Sequence, residues 1–500
     1  AAMTTPMTYP GVYLAELQSS QHPITGVATS ITAFVGPAAW GPVNSPQTCF
    51  TWTDYVRTFG GLSSASTMSY AVYQFFQNGG ATAIVIRVTK DDGKAEAATL
   101  TLPGQGSAVV LEAASTGQLG DSLQATVDNQ GVADTTKQWN LTVQNTATGV
   151  TERYLNITTD TTSSKSLAQQ LQSSVLVQVK SGGDQLPDPT PSGQPVQGQD
   201  GNDGSPITDT ELDAVVQAGG ALATVDLFNI LCLLPALGSD VGENPLTDAV
   251  DLCVNRRAML LVDPPSAWGT VDTAKTGMAN PPVTGQKAAN AAMYFPRVTA
   301  TDPLTGLPGT YSSCGAVAGV WASTDSARGV WKAPAGTIAS LPGGMYPAVL
   351  MTDDQNGELN PLGLNCLRTF PVIGPVVWGA RTLLGSDAAE SQWKYIPVRR
   401  TALYIEESLR RGTQWVVFEP NAEPLWSSIR LNVGAFMQGL YRQGAFAGAT
   451  PSQAYLVKCD AENNPPDQVA LGIVNILVGF APLYPAEFVL ISIEQLQLAG

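Results

Sequence analysis

The chain has 500 residues and a formal net charge of −16, from 25 basic and 41 acidic side chains. A chain this long exceeds one hydrophobic core, so roughly two to four domains are expected. Its acidity argues against nucleic acid as a partner, because phosphate binding needs a basic face. With 44% hydrophobic and only 13% charged residues, it is not a disordered chain either.

Six cysteines, at 49, 232, 253, 314, 366 and 459, form no CxxC pair. Reduced core thiols are expected, with no metal site and no disulfide framework. No apolar run reaches membrane length, so direct membrane insertion is not expected. The opening AAMTTPMTYPG lacks the basic and apolar regions of a signal peptide. Synthesis in a cytoplasm follows, with release by lysis or inside a particle.

Residues 1–88 read as an N-terminal arm and part of a core domain. TYPGVYLAEL is extended, and Thr32–Ala38 is a short buried strand. Two helices follow, around Thr53–Phe59 and Met68–Gln77, each closed by glycine. Ala83–Val88 returns as a strand. Residues 89–205 turn to Thr, Gln, Ser and Gly with alternating stretches such as SLQATVDN, a β-rich inserted outer domain. Its end, KSGGDQLPDPTPSGQPVQGQDGNDGS, reads as a linker, and Asp200 and Asp203 lack calcium-loop spacing.

Residues 206–392 read as an α/β middle domain, with buried strands at Leu227–Leu234 and Ala258–Val262 and helices at Glu211–Ala218 and Pro245–Asn255. The strand running into Asp263-Pro264-Pro265 could line a site, but a β–α turn is the simpler reading. Segments around Tyr294–Val298, Gly315–Trp321 and Val330–Ala333 read as packed loops and edges.

Residues 393–500 are the most organised stretch. A helix is expected over Arg399–Arg411, a buried strand over Gln414–Phe418, and a helix capped by Asn421 with Leu425, Ile429, Val433, Phe436, Met437 and Leu440 on one face. Arg430, Gln438 and Arg442 lie on the opposite face. Three strands should close the chain, the last in EFVLISIEQL. The fold class is therefore multidomain α+β and α/β. A core is built from the N- and C-terminal segments, with extended pairing arms and the β-rich insert.

Catalytic material is sparse. The single histidine, His22, would have to serve any triad, dyad or metal cluster. There is no GxSxG, no Walker A loop, and no GxGxxG between a strand and a helix. Glu406-Glu407 and Asp353-Asp354 are neighbours whose side chains diverge. No enzyme and no cofactor are expected.

Long ordered strings resemble the contractile tail sheath family. They include YPGVYLAELQSSQHPITGVATSITAFVGPAAWGPVNSP near the start and CGAVAGVWASTDSARGVWKAPAG in the middle. The strongest is VRRTALYIEESLRRGTQWVVFEPNAEPLWSSIRLNVGAFMQGLYRQGAFAGATPSQAYLVKCD, continued by GIVNILVGFAPLYPAEFVLISIEQ. Pro465-Pro466 replaces a Thr-rich loop. The resemblance implies a subunit that polymerises helically with itself around an inner tube, above a baseplate and below a terminal cap. It also implies contraction that drives the tube through a target envelope, in a phage tail or a tail-like injection particle. The alternative is another tail or baseplate structural protein, or a surface-binding module. By the same resemblance the two termini add strands to neighbouring copies, which assigns Val12, Tyr13 and Leu14 and Phe488, Leu490, Ile491 and Ile493 to the arms. An inner helix touches the tube, and we expect it at 423–442 through Arg430, Gln438 and Arg442.

Overall fold

The structure, a computed structural model, describes residues 22–104 and 106–490. Its contacts divide these residues into two units. One comprises residues 28–400 with 485–490, and the other residues 22–27 with 401–484.

The larger unit is organised on an eight-stranded sheet. In spatial order the strands are Gly374–Trp378, Asn365–Phe370, Ala291–Phe295, Met259–Val262, Ile230–Leu233, Thr32–Gly36, Ala83–Arg87 and Gln47–Cys49. The inner six are parallel, and the two outer strands run antiparallel to their neighbours. A parallel sheet is covered on both faces, so its strands are continuous apolar runs. TAFVG, AIVIR, ILCL, MLLV and AAMYF are buried at every position.

Alternate side chains face opposite layers. Val35, Ile84, Leu231 and Leu260 share a core with Leu212 and Val215 of the Asp209–Val216 helix and Leu246 and Val250 of the Glu243–Arg256 helix. On the other face Phe34 meets Phe75 of the Thr67–Gln77 helix, ring centroids 5.4 Å apart. That helix packs closely on Cys314–Arg328. A Cβ at Gly315 would lie 2.1 Å from the Ala71 carbonyl oxygen, and one at Gly319 would lie 2.6 Å from that of Phe75. Only glycine permits this approach.

The insert holds two four-stranded antiparallel sheets. One contains Val196–Gln197, Leu123–Asp128, Gln138–Asn145 and Thr151–Thr158. The other contains Asn202–Asp203, Ala95–Leu102, Val109–Thr116 and Val177–Ser181. Their inward residues, among them Leu100, Leu111, Leu123, Trp139 and Leu141, form one core. Alternating burial along Leu123–Asp128 follows from the two-residue side-chain period of a sheet.

Four sequence expectations are corrected. Gly315–Trp321 is not a loop but lies in the buried N-terminal half of the Cys314–Arg328 helix, whose glycines serve close packing. Tyr294 lies in the central strand Ala291–Phe295. The stretch read as a linker supplies two edge strands, held where Gly201 N–H donates to Asp121 Oδ1 (2.8 Å) and Gln118 N–H to Asp203 Oδ1 (2.9 Å). Gln414–Phe418 is not a buried strand: Gln414–Val416 is a 3₁₀ turn, and Phe418 is fully exposed. A short apolar run does not by itself distinguish strand from turn.

Candidate assembly interface

The smaller unit is built on two helices. The Ile396–Gly412 helix contributes its residues from 401 onward. The Glu423–Arg442 helix buries Leu425, Ile429, Val433, Met437 and Leu440 of the apolar stripe its spacing predicts, and Trp426 beside them, while Phe436 is only partly buried. Its cap residue is Ala422 rather than Asn421. Asn421 instead accepts from Trp426 Nε1 (2.8 Å) and donates to the Ile473 carbonyl (2.8 Å). In the first helix Glu407 is buried and bridges Arg410 and Arg411, each at 2.6 Å. Burial raises its carboxyl pKa, but the two guanidinium groups outweigh burial and hold it at about 2.

Residues 22–27 lie along these helices. The His22 backbone N–H donates to Asn432 Oδ1 (3.1 Å), and its ring stacks on Trp415 with centroids 4.2 Å apart. The Val27 N–H donates to Ser408 Oγ (3.1 Å). A Cβ at Gly26 would lie 1.9 Å from the Tyr404 hydroxyl. The lone histidine thus anchors the described start of the chain on these helices.

Beyond the helices lies a small antiparallel sheet of Tyr455–Lys458 and Leu477–Phe480. Among the described residues no third strand pairs with either side, and a single antiparallel bridge, Phe446 to Pro482, lies just beyond Phe480. Leu456 and Leu477 remain 53% and 52% exposed. Two four-residue strands are marginal alone, and these are held by the loop between them. Asn463 Nδ2 donates to the Lys458 and Asn475 carbonyls, and the Asn475 N–H donates to Asn464 Oδ1 (2.6 Å). Pro465-Pro466 opens a short helix, Pro466–Ala470, where proline fits the first turn.

The larger unit holds the root of the C-terminal segment. Arg381 is fully buried and donates through Nε and Nη2 to both oxygens of Glu487, at 2.8 and 2.6 Å. Tyr395 OH donates to the same carboxylate (3.2 Å). A bidentate pair of this kind fixes direction as well as position. The next three residues, Phe488, Val489 and Leu490, are about 80–90% exposed apolar side chains.

Of the arm residues expected from sequence, Phe488 and Leu490 lie in this exposed segment. Val12, Tyr13, Leu14, Ile491 and Ile493 fall outside the described residues. The helix-face residues do not act alike. Arg430 donates to the Cys459 carbonyl and pairs with Glu423, and Gln438 Oε1 accepts from Tyr455 OH (2.7 Å). These two fasten the helix to the small sheet and its loop, while Arg442 is exposed. The Arg381–Glu487 clamp escaped sequence reading, because its partners are 106 residues apart.

Among the described residues no His, Cys, Asp and Glu cluster is placed to hold a metal, and no helix is long and apolar enough to cross a membrane.

Residues 388–495 match the phage tail sheath C-terminal domain. The chain is 23% identical over 490 residues to the tail sheath protein of Burkholderia phage BcepMu, covering 95% of this chain and 94% of that protein. Among solved structures, the PVC sheath complex of an extracellular contractile injection system in its contracted state matches with a TM-score of 0.61 at 23% identity, over 98% of this chain and 99% of that one. The helical sheath of the anti-feeding prophage in its contracted state matches at 0.58, also at 23% identity and the same coverage. The sheath tail protein of Listeria innocua matches at 0.61 with 17% identity, over 92% and 97% of the two chains. The chain therefore has the fold of contractile tail sheath proteins along its length and carries their C-terminal domain at its end.

Proposed function

We propose that this chain is the structural subunit of a contractile tail sheath and not an enzyme. It polymerises helically around an inner tube and contracts to drive that tube through a target envelope. The observation that supports the reading is the small sheet, to whose edges no third strand pairs among the described residues, together with the anchoring of residues 22–27 and of Glu487. An open sheet edge accepts an extended strand from another chain. A strand adds roughly four to six main-chain hydrogen bonds at about 1 kcal/mol each. Burial of Leu456, Leu477 and the arm side chains makes the clasp durable. Such an exchange, if it does not close on itself, generates a helical filament.

Contraction needs a second packing of the same subunits at lower free energy. A gap of a few kcal/mol per subunit, summed over many rings, supplies the stroke. The arms persist as hinges while other faces repack. In this reading the 89–205 insert is the outer decoration, 1–88 supplies the N-terminal arm and part of the core, 206–392 is the middle domain, and the 423–442 helix faces the tube. Inner tube, baseplate and cap proteins are the other partners, within a phage tail or tail-like particle.

Negative-stain microscopy of the purified chain tests this: striated hollow cylinders support it, and discrete unpolymerised particles contradict it. For the tube contact, Arg442→Glu is the informative change, because reversal at Arg430 would also break its bond to Cys459. Loose or empty sheaths are expected, and normal tube-filled particles would remove the assignment.

A further inference from the structure

The turn between the two helices of the smaller unit presents two adjacent apolar side chains to water. It follows the Ile396–Gly412 helix and carries Val417, 63% exposed, and Phe418, fully exposed. Phe418 has a φ of 71°, a left-handed conformation that bulky residues rarely adopt. Strained residues of this kind cluster at clamps and switches.

The first described residues lead to this turn. The Val27 N–H donates to Ser408 Oγ. Ile24 lies against Gly412, where a Cβ would be 2.6 Å from its Cγ2, and the His22 ring stacks on Trp415. From Val27 back to His22 the contact therefore moves to the end of the helix and into the turn. The next positions in that direction are Val417 and Phe418. Before His22 come Gln18, Ser19, Ser20 and Gln21, and before those the apolar side chains Val12, Tyr13, Leu14 and Leu17. Four residues reach at most about 14 Å, so the apolar stretch is tethered within reach of the turn. A tether this short sets an effective concentration in the millimolar range, which other copies of a dilute subunit do not match. The same stretch supplies the N-terminal arm in the sheath reading above, on which the inference rests.

We infer that in the free subunit Val417 and Phe418 seat the chain's own residues 12–17, and that this seat withholds the arm until the small sheet of a neighbouring copy takes it. Within a growing lattice the neighbour's sheet edge is held close and adds main-chain hydrogen bonds, so the arm moves across.

The test uses the full-length chain carrying Gln18→Cys and Glu419→Cys, the latter at an exposed position beside Phe418. The chain is diluted below the concentration at which polymer forms, and a short bis-maleimide is the probe. The native cysteines are all buried, so the probe joins the introduced pair. An intrachain cross-link is expected, and Phe418→Ser should lower its yield at least about threefold, whereas mere proximity along the chain does not depend on that ring. In a second arm, without the introduced cysteines, Phe418→Ser should lower the concentration at which sedimentable polymer first appears, again at least about threefold. Val417→Ser should act in the same direction. The inference is overturned if Phe418→Ser leaves the cross-link yield intact, if the cross-link joins two copies, or if both substitutions raise the polymer threshold or leave it unchanged. The cross-link reads no polymer: cylinders missing from every variant, with a cross-link that still depends on Phe418, would count against the sheath reading and support the seat.

Discussion

The central sheet of the larger unit and the small sheet of the C-terminal unit answer the same physical problem differently. In the first, five strands are buried at every residue, and helices cover both faces. In the second, two strands of four residues keep leucines half exposed, and among the described residues no third strand pairs with either edge. The first sheet is satisfied within one chain. The second has hydrogen-bonding groups and apolar surface still to place, which is the physical signature of an element completed by another molecule.

Four variants probe this contrast on the isolated subunit. The largest effect belongs to the core. Trp321 is fully buried and donates to the Tyr294 hydroxyl (3.2 Å), so Trp321→Ala should cost about 3–5 kcal/mol in denaturant unfolding. A loss below about 1 kcal/mol, the centre of point-mutant effects generally, would mean that this layer is not the satisfied core described. Next comes the clamp. Glu487→Ala leaves Arg381 with Asp387 but removes its bidentate partner, for an expected loss of about 2 kcal/mol. An unchanged melting curve would show that the root of the terminal segment is not held there.

The pH response of Glu407 should be smaller. Its folded pKa, about 2, lies below its ordinary value of 4.5. The stability it contributes is therefore complete above about pH 5 and lost as the pH falls toward 2. Glu407→Gln should flatten the acid limb of melting temperature against pH; superimposable profiles would refute the bridge. The smallest effect is the most telling. Leu456→Ser with Leu477→Ser should change subunit stability by no more than about 0.5 kcal/mol, as exposed substitutions do, yet reduce polymer yield in sedimentation. If stability falls sharply instead, the exposed leucines belong to the fold of the single chain.

Much of the α/β framework was legible because burial on both faces writes itself as uninterrupted apolar runs, as in AIVIR and MLLV. The Glu423–Arg442 helix was legible because one apolar stripe repeats at helical spacing. The Cys314–Arg328 helix was not: its first nine residues are buried all round and show no polar face, and Gly315 and Gly319 imitate a loop while permitting contact with the Thr67–Gln77 helix. Nor was Arg430 legible as a fastening for the Cys459 carbonyl, since a charged residue on the polar side of a stripe reads as solvated until its neighbour is known. The Arg381–Glu487 clamp depends on residues far apart in sequence, which local periodicity cannot join.

The central claim is that terminal segments of one copy complete the open sheet of another. The direct measurement is electron microscopy of a chain lacking its last dozen residues, alongside its melting curve. Because Val489 and Leu490 are exposed, the shortened subunit should melt as the full chain does and form no cylinders. Ordered cylinders from that shortened chain would contradict the account.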